Sequence, residues 1–254
     1  MSPKSIATMS GLVLALFVAG CGGSGSGNPV PDIPAPSPTP GKNVYRSMSA
    51  YNAAKRATDG SMTNNAPSFD TLTFNGRELP LVVEGVKAGR MVVVDSDFTL
   101  GGVSYKKFHV GMTRRANARF GALNYGGSNI VFHQGHLSAN VPTRGTAHYV
   151  GDVVHVNNAD NRYTQGIMQA DVDFAGKGVK LAFTRPGDRS DFVDRNLEAK
   201  IDGNKFSGIT NNTHVDGAFY GDRASEMAGR YTNAQENFQG AFGGTMQTSR
   251  GTGN

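Results

Sequence analysis

The stretch that decides the fold lies in the C-terminal half of the chain and reads Gly178-Val179-Lys180-Leu181-Ala182-Phe183-Thr184. Val179, Leu181 and Phe183 are bulky and apolar, and they alternate with polar or small residues. Successive side chains of a β-strand point to opposite faces of a sheet, so this alternation predicts a strand that buries one face. The segment Arg195–Ile201 repeats the pattern.

The same period continues in both directions and predicts two groups of strands. The N-terminal group contains Phe69–Phe74, Arg77–Val83, Met91–Phe98 and Val103–Met112. The C-terminal group contains Arg119–Tyr125, Asn129–Leu137, Gly145–Val156, Gly166–Asp173, Gly178–Thr184, Arg195–Ile201, Lys205–Asn212, Thr213–Tyr220, Ala228–Tyr231 and Phe238–Met246. Ala50–Ala57 is expected to form one or two helical turns.

Glycine-rich turns separate these strands. Asn75-Gly76 and Gly101-Gly102 favour type I′ hairpins, because both central residues of that turn need a positive φ. Many short strands joined by such turns indicate an antiparallel barrel or sandwich. We place a boundary near Arg114–Ala118, with a small β handle module over 44–115 and the larger β domain over 116–250.

The N terminus predicts an exported lipoprotein. Residues 1–20 read as a signal peptide whose apolar run, Leu12–Val18, is too short to cross a bilayer of about 30 Å as a helix. Small residues lead into Cys21, the single cysteine of the chain, which we expect to be acylated. Gly22, where an Asp would indicate retention in the inner membrane, favours the outer membrane.

Residues 21–43 are expected to form a stalk. They are rich in glycine, serine and proline and contain almost no apolar bulk. Such a segment cannot bury enough surface to offset its ordering entropy, and its prolines favour an extended conformation. The stalk would hold the folded part away from the lipid surface.

Composition and motifs disfavour nucleic-acid binding and catalysis. The formal net charge is +5, but the basic residues are scattered and no nucleic-acid-binding signature is present. No nucleophile–base pair or phosphate loop stands out. The glycine–serine run at residues 23–27 is low-complexity stalk and lacks the strand–turn–helix that surrounds a nucleophile elbow. We therefore predict no catalytic residues.

Ligand binding is expected at loops of the barrel rim. Asn157–Tyr163 and Arg185–Ser190 are polar segments between predicted strands. Arg185 and Arg189 could grip a carboxylate, although a solvated turn is the simpler interpretation. Tyr163 ends the first loop and is a further candidate.

The histidines suggest a haem or metal role only weakly. All six lie on predicted strands or at strand ends, where a histidine is usually a hydrogen-bonded surface residue. His133 and His155 fall on adjacent predicted strands, so a joint haem or metal role is one alternative. No metal-ligand spacing accompanies them, so no metal site is predicted. His133 joins the candidate ligand-binding residues.

Two stretches resemble the barrels of transferrin-binding protein B and its relatives. The first is the C-terminal pair of segments Gly217-Ala218-Phe219-Tyr220-Gly221-Asp222-Arg223-Ala224-Ser225-Glu226-Met227-Ala228-Gly229 and Phe238-Gln239-Gly240-Ala241-Phe242-Gly243-Gly244. The second is Pro142-Thr143-Arg144-Gly145-Thr146-Ala147-His148-Tyr149-Val150-Gly151-Asp152. The resemblance implies an all-β chain in which the handle precedes an eight-stranded antiparallel barrel. Within it, residues 224–227 are expected to form a helical turn, with Glu226 capping it or pairing locally.

The resemblance also implies a surface-displayed binding protein delivered by an outer-membrane translocator. Phe132-His133-Gln134-Gly135, just before the second stretch, is most similar to the haemoglobin- and haem-binding relatives. The first expectation is thus capture of haemoglobin or haem for iron acquisition, with handover to a TonB-dependent transporter and with His133 or Tyr163 as axial ligand if haem binds directly. A second is immune evasion by binding a complement regulator such as factor H. Transferrin binding loses weight because only one lobe is predicted.

Overall fold

The computed structural model describes residues 44–52, 58–64, 68–86, 91–112, 116–188 and 190–247. Cys21, the stalk and Arg189 lie outside these residues. Within them the chain forms one six-stranded antiparallel sheet, two separate hairpins and one closed barrel. No helix in this part of the chain has the length and apolar character needed to cross a membrane.

The N-terminal part contains ten strands. In chain order they are β1 Val44–Asn52, β2 Thr58–Asn64, β3 Thr71–Phe74, β4 Arg77–Pro80, β5 Val92–Val94, β6 Phe98–Leu100, β7 Val103–Tyr105, β8 Lys107–Gly111, β9 Ala118–Tyr125 and β10 Ser128–Gly135. The six-stranded sheet has the order β2-β1-β10-β9-β8-β5 and is called the handle sheet below.

Hairpins β3–β4 and β6–β7 turn where the sequence predicts. Asn75 and Gly76 have φ values of 49° and 76°, and Gly101 and Gly102 have 55° and 75°. These hairpins pack with one face of the handle sheet around a buried apolar cluster. That cluster contains Leu72, Leu79, Leu81, Val103, Tyr105, Phe108, Val110, Leu123, Ile130 and Phe132.

The C-terminal part is the expected eight-stranded antiparallel barrel. Its strands are β11 Thr146–Asn157, β12 Arg162–Asp173, β13 Gly178–Thr184, β14 Arg195–Asp202, β15 Lys205–Thr210, β16 Thr213–Tyr220, β17 Glu226–Asn233 and β18 Phe238–Met246. Each strand pairs with the next, and β11 closes the barrel by pairing with β18. Because side chains alternate, Val179, Leu181 and Phe183 all point into the barrel core.

The barrel and the handle sheet share an apolar interface. Residues on the outer face of β11, β16, β17 and β18 pack against β1, β9 and β10. The interface contains Tyr45, Phe120, Val131, Val154, Val156, Ala218, Tyr220, Ala228 and Ala241. The small alanine side chains let the handle sheet approach the barrel wall closely.

Sheet membership differs from the expectation at one place. Strands β9 and β10 lie beyond the expected boundary at residue 115, yet they belong to the handle sheet, and the barrel begins only at Thr146. Both strands are almost entirely buried, because the barrel covers one face and the N-terminal hairpins cover the other. Alternation alone could not assign strands that bury both faces to either module.

Two local expectations were wrong. Of the helical turns expected over Ala50–Ala57, residues 50–52 lie in strand β1 instead, since β1 pairs with both β2 and β10, and residues 53–57 lie outside the described residues. The 3-10 turn before β17 spans Asp222–Ala224, whereas Glu226 already begins the strand. Glu226 does not pair locally, because its carboxylate accepts hydrogen bonds from the backbone and side-chain amides of Asn117 at 2.9–3.1 Å.

Candidate functional site

Four connections meet at one end of the barrel. The strand pairings bring together the ends of β11 and β12, β13 and β14, β15 and β16, and β17 and β18. The connecting segments are residues 158–161, 185–194, 211–212 and 234–237, and we call them the rim. Both loops singled out in the sequence, around Asn157–Tyr163 and Arg185–Ser190, therefore reach the same end of the barrel.

Side-chain oxygens hold the short rim loops in place. Asn157 Oδ1 accepts a hydrogen bond from the backbone N–H of Ala159 at 2.9 Å, and Asp160 Oδ1 accepts one from that of Arg162 at 3.1 Å. Such Asx turns give a loop a defined backbone without secondary structure. The loop at residues 158–161 is thus held in a defined turn by its own side chains.

The longest rim segment, 185–194, has an apolar end. Phe192 is buried, with its ring 6.3 Å from the ring of His155, whereas the neighbouring Val193 is 60% exposed. Asp194 Oδ1 accepts a hydrogen bond from the backbone N–H of Arg185 at 2.9 Å and lies 3.6 Å from its Nε. Phe192 anchors the loop in the barrel mouth, and Val193 is exposed to solvent.

Inside the mouth, His155 stacks on Tyr231. The ring centroids are 6.0 Å apart, the planes differ by 16°, and His155 Nδ1 lies 3.0 Å from the Tyr231 hydroxyl. Burial, together with the charges of Arg195 and Arg162, lowers the pKa of His155 to about 3. The imidazole is therefore neutral at physiological pH.

Arg195 lies beside this pair with few polar partners. Its guanidinium carbon is 4.1 Å from the centre of the Phe238 ring, a cation–π contact. Its Nε is buried and has no hydrogen-bond partner among the described residues. By contrast, Arg162 at the rim lies 3.7 Å from carboxylate oxygens of both Asp160 and Asp191.

His133 lies away from the rim, between the handle sheet and the barrel. It is completely buried, with Nδ1 2.7 Å from the Tyr220 hydroxyl and Nε2 3.4 Å from Asp216 Oδ2. Burial is the main cause that lowers the pKa of His133. A haem-ligand role for this residue would require it to leave both contacts.

Tyr163 also points toward the handle sheet. Its hydroxyl donates to Asn129 Oδ1 at 3.0 Å, and its ring meets the ring of His109 edge-on at 5.1 Å. Burial raises the pKa of the Tyr163 hydroxyl, so it stays protonated. The structure thus brings Arg185 to the rim but places His133 and Tyr163 in the interface between the two modules.

The expected neighbourhood of His133 and His155 is wrong. His133 is on β10 of the handle sheet, whereas the His155 side chain belongs to the mouth, and β10 does not pair with β11. Within the part of the chain that the structure describes, no group of three or more His, Cys, Asp or Glu side chains is placed to hold a metal ion.

Sequence reasoning missed Arg195 and the polar cluster around Asp216. Arg195 had a usable signal, because it starts an alternating strand on the same face as the buried Leu197. Asp216 had none, since an aspartate on the outer face of a barrel strand usually meets solvent. It lies at the interface only because the handle sheet covers that part of the barrel wall.

Comparison with known families agrees with this architecture. Residues 141–246 match the family described as the C-lobe and N-lobe β-barrels of Tf-binding protein B. Transferrin-binding protein B of Moraxella catarrhalis is 28% identical over an alignment of 221 residues that covers 74% of this chain and 30% of the relative. Neisserial heparin binding antigen of Neisseria meningitidis serogroup B is 34% identical over an alignment of 131 residues that covers 48% of this chain and 27% of the relative.

Solved structures show the same fold. The isotype 1 transferrin binding protein B from serogroup B Neisseria meningitidis superposes with a TM-score of 0.59 at 20% identity, covering 80% of this chain and 44% of that protein. The chain thus spans less than half of these larger relatives. Residues 141–246, which match that family, contain the closed eight-stranded barrel, and the described residues contain one handle sheet and one such barrel.

Proposed function

We propose that this chain is a surface lipoprotein that captures a host protein at the barrel rim and performs no catalysis. The observation that supports the proposal is the composition of the rim on a barrel of this type. There the exposed Val193 lies on one loop with Arg185, and Arg162 begins the strand after the neighbouring loop. An apolar contact flanked by arginines is a common composition for protein recognition.

Anchoring through Cys21 is part of the proposal. Acylation of that cysteine at the end of the predicted signal peptide would tether the chain to the outer membrane, and two or more acyl chains give stable attachment. We expect Cys21→Ala to release the chain from washed membranes. A C21A variant that stays with the outer-membrane fraction would contradict the anchor.

Haemoglobin is the first partner to test, for iron capture and handover to an outer-membrane transporter. Direct haem coordination by His133 or Tyr163 is the weaker version of this idea. His133 uses both ring nitrogens, and the Tyr163 hydroxyl is buried in a hydrogen bond. We therefore propose capture of the carrier protein at the rim.

Binding of a sulfated polysaccharide is the second candidate function. It is favoured by the likeness to a relative named heparin binding antigen and by the formal net charge of +5. Such binding weakens steeply with salt, because each contact to the polyanion releases bound counterions. Protein capture through an apolar rim is much less sensitive to salt.

The test is a pull-down with the full chain, purified in detergent, from serum and from haemolysate. We expect haemoglobin, alone or with haptoglobin, to be retained. If a complement regulator or transferrin is retained instead, the proposed partner changes but the proposal of host-protein capture remains. Retention of heparin alone, lost at high salt, would favour the second function. Failure to retain any of these at micromolar concentrations would overturn the proposal.

A further inference from the structure

We infer that the barrel mouth is a binding site for a compact oxyanion, best fitted by a carboxylate, with Arg195 as its main ligand. The inference deepens the proposed function, since the mouth lies within the rim. It rests on the surroundings of Arg195 and not on the exposed arginines of the loops.

The first step is that Arg195 lacks a counter-ion. No carboxylate among the described residues lies within ion-pair distance of its guanidinium, whereas Arg162 has two such partners and Arg185 has one. The aromatic face of Phe238 supports the positive charge but offers no lone pair to an N–H donor. The buried Nε has no acceptor in the described part of the chain.

The second step is that this arrangement is costly without a ligand. A buried donor that has lost its water and gained no acceptor destabilises the folded state. Proteins usually satisfy such groups, and those left unsatisfied call for an explanation, including a missing ion or ligand. Arg195 is half-buried at the open end of the barrel, so an incoming anion could reach it from solvent.

The third step concerns the chemical class. The guanidinium presents planar, divergent N–H donors that match a carboxylate in a two-point hydrogen bond. Phe238 contacts both the Arg195 guanidinium and the ring of His155, and Tyr231 and Phe192 contact His155 from its other sides. These rings crowd the mouth, and this favours a small group over an extended polyanion.

The experiment observes Arg195 directly in the full chain, in detergent, with arginine labelled for NMR. Arg195→Lys identifies the Nε–Hε signal of Arg195 by removing it, while preserving charge and the aliphatic stem. Sodium acetate is titrated at constant ionic strength against sodium chloride. We expect a saturable shift of the Arg195 signal so identified in the native chain.

The matched control is Arg144→Gln, because Arg144 is exposed at the other end of the barrel. We expect Arg195→Gln to weaken acetate binding, measured by calorimetry, by about tenfold or more, since a charged hydrogen bond is lost. Arg144→Gln has the same change in net charge and should bind acetate as the native chain does. Equal weakening in both variants would reduce the effect to net charge and overturn the site.

A blocked Gly-Asp-Gly peptide separates the two sources of a carboxylate. If it binds more tightly than acetate and shifts the same Arg195 signal, the ligand is an acidic side chain of a partner. If only acetate shifts the signal, the ligand is a free small anion. If neither gives a saturable shift, the inference fails. If the pull-down retains no protein but the Arg195 signal still shifts, the proposal of host-protein capture is contradicted and the proposed anion site is supported.

Discussion

At the scale of single residues, Asp216 joins the barrel to the handle sheet. Its carboxylate accepts a hydrogen bond from the Ser47 hydroxyl at 2.7 Å and pairs with Arg230 at 3.1 Å, while Arg230 Nε also donates to Ser47 at 2.8 Å. Hydrogen bonds and opposite charges around Asp216 outweigh burial and lower its pKa, so it is ionised at neutral pH. These contacts link residues far apart in sequence, and no local pattern predicts them.

Removing the charge of Asp216 should loosen the junction. We expect Asp216→Asn to lower the free energy of unfolding by about 2 kcal/mol, because the Ser47 hydroxyl and the Arg230 guanidinium lose a charged acceptor in a largely buried position, while Asp216 is itself partly exposed. Urea denaturation measures the loss. Asp97→Asn is the control, since Asp97 and Lys106 form an exposed pair, and we expect a change below about 0.5 kcal/mol. Equal losses in both variants would show that the Asp216 pair has no special role.

At the scale of elements, the turns and most strands follow from the sequence. The Asn75-Gly76 and Gly101-Gly102 turns are confirmed because their positive φ values leave few alternatives. The rim loops were also located, since the gaps in the alternating pattern mark strand ends. The strand partners of β1, β9 and β10 could not be predicted. A period of two indicates which faces of a strand are buried, but it does not indicate which element covers them.

Gly151 tests the pairing that closes the barrel. It faces Gly244 across β11 and β18, and a Cβ added there would lie 2.0 Å from the carbonyl oxygen of Gly243. We expect Gly151→Ala to destabilise the chain by about 3 kcal/mol, because backbone must move to make room.

The control for that variant is Gly178→Ala at the start of β13. A Cβ added at Gly178 meets no atom within 4 Å, and its φ is not in the left-handed region. We expect little change in the thermal unfolding temperature there, against a clear drop for Gly151→Ala. An unchanged melting temperature in G151A would mean that β11 and β18 do not approach as described.

At the scale of the whole molecule, buried histidines couple stability to pH. Burial is the main cause that lowers the pKa of His109, His133 and His155, so the folded state favours their neutral forms. The stability that they contribute is complete above the ordinary value near 6.5 and is lost as the pH falls below it. Glu226 has the opposite effect on the pH dependence. Burial raises the pKa of Glu226, so its protonation as the pH falls removes a buried charge and stabilises the folded state.

For His155, the size of this change in unfolding free energy with pH follows from its pKa. With a folded-state pKa of about 3, it should contribute a loss of about 2 kcal/mol between pH 7 and pH 5, where only the unfolded chain takes up the proton. We expect His155→Gln to flatten the curve of unfolding free energy against pH by that amount. His148→Gln removes an exposed histidine as the control. An identical slope in H155Q and the native chain would contradict the neutral, buried imidazole.

The assignment of function belongs to this scale too. The sequence supports a barrel of this type and a set of rim loops, but residues chosen singly from it, His133 and Tyr163, lie in the junction between modules. Binding surfaces arise from loops that the closed barrel brings together. That convergence depends on pairings between distant strands, as in the closure of β11 on β18.

Hydrogen–deuterium exchange of the full chain, with and without the captured partner, tests the central claim most directly. Binding at the rim predicts slower exchange in residues 157–162 and 185–195. The turns at the other end of the barrel, residues 174–177 and 203–204, serve as the internal control and should exchange at unchanged rates. Protection confined to that opposite end, or to the hairpins over the handle sheet, would contradict capture at the rim.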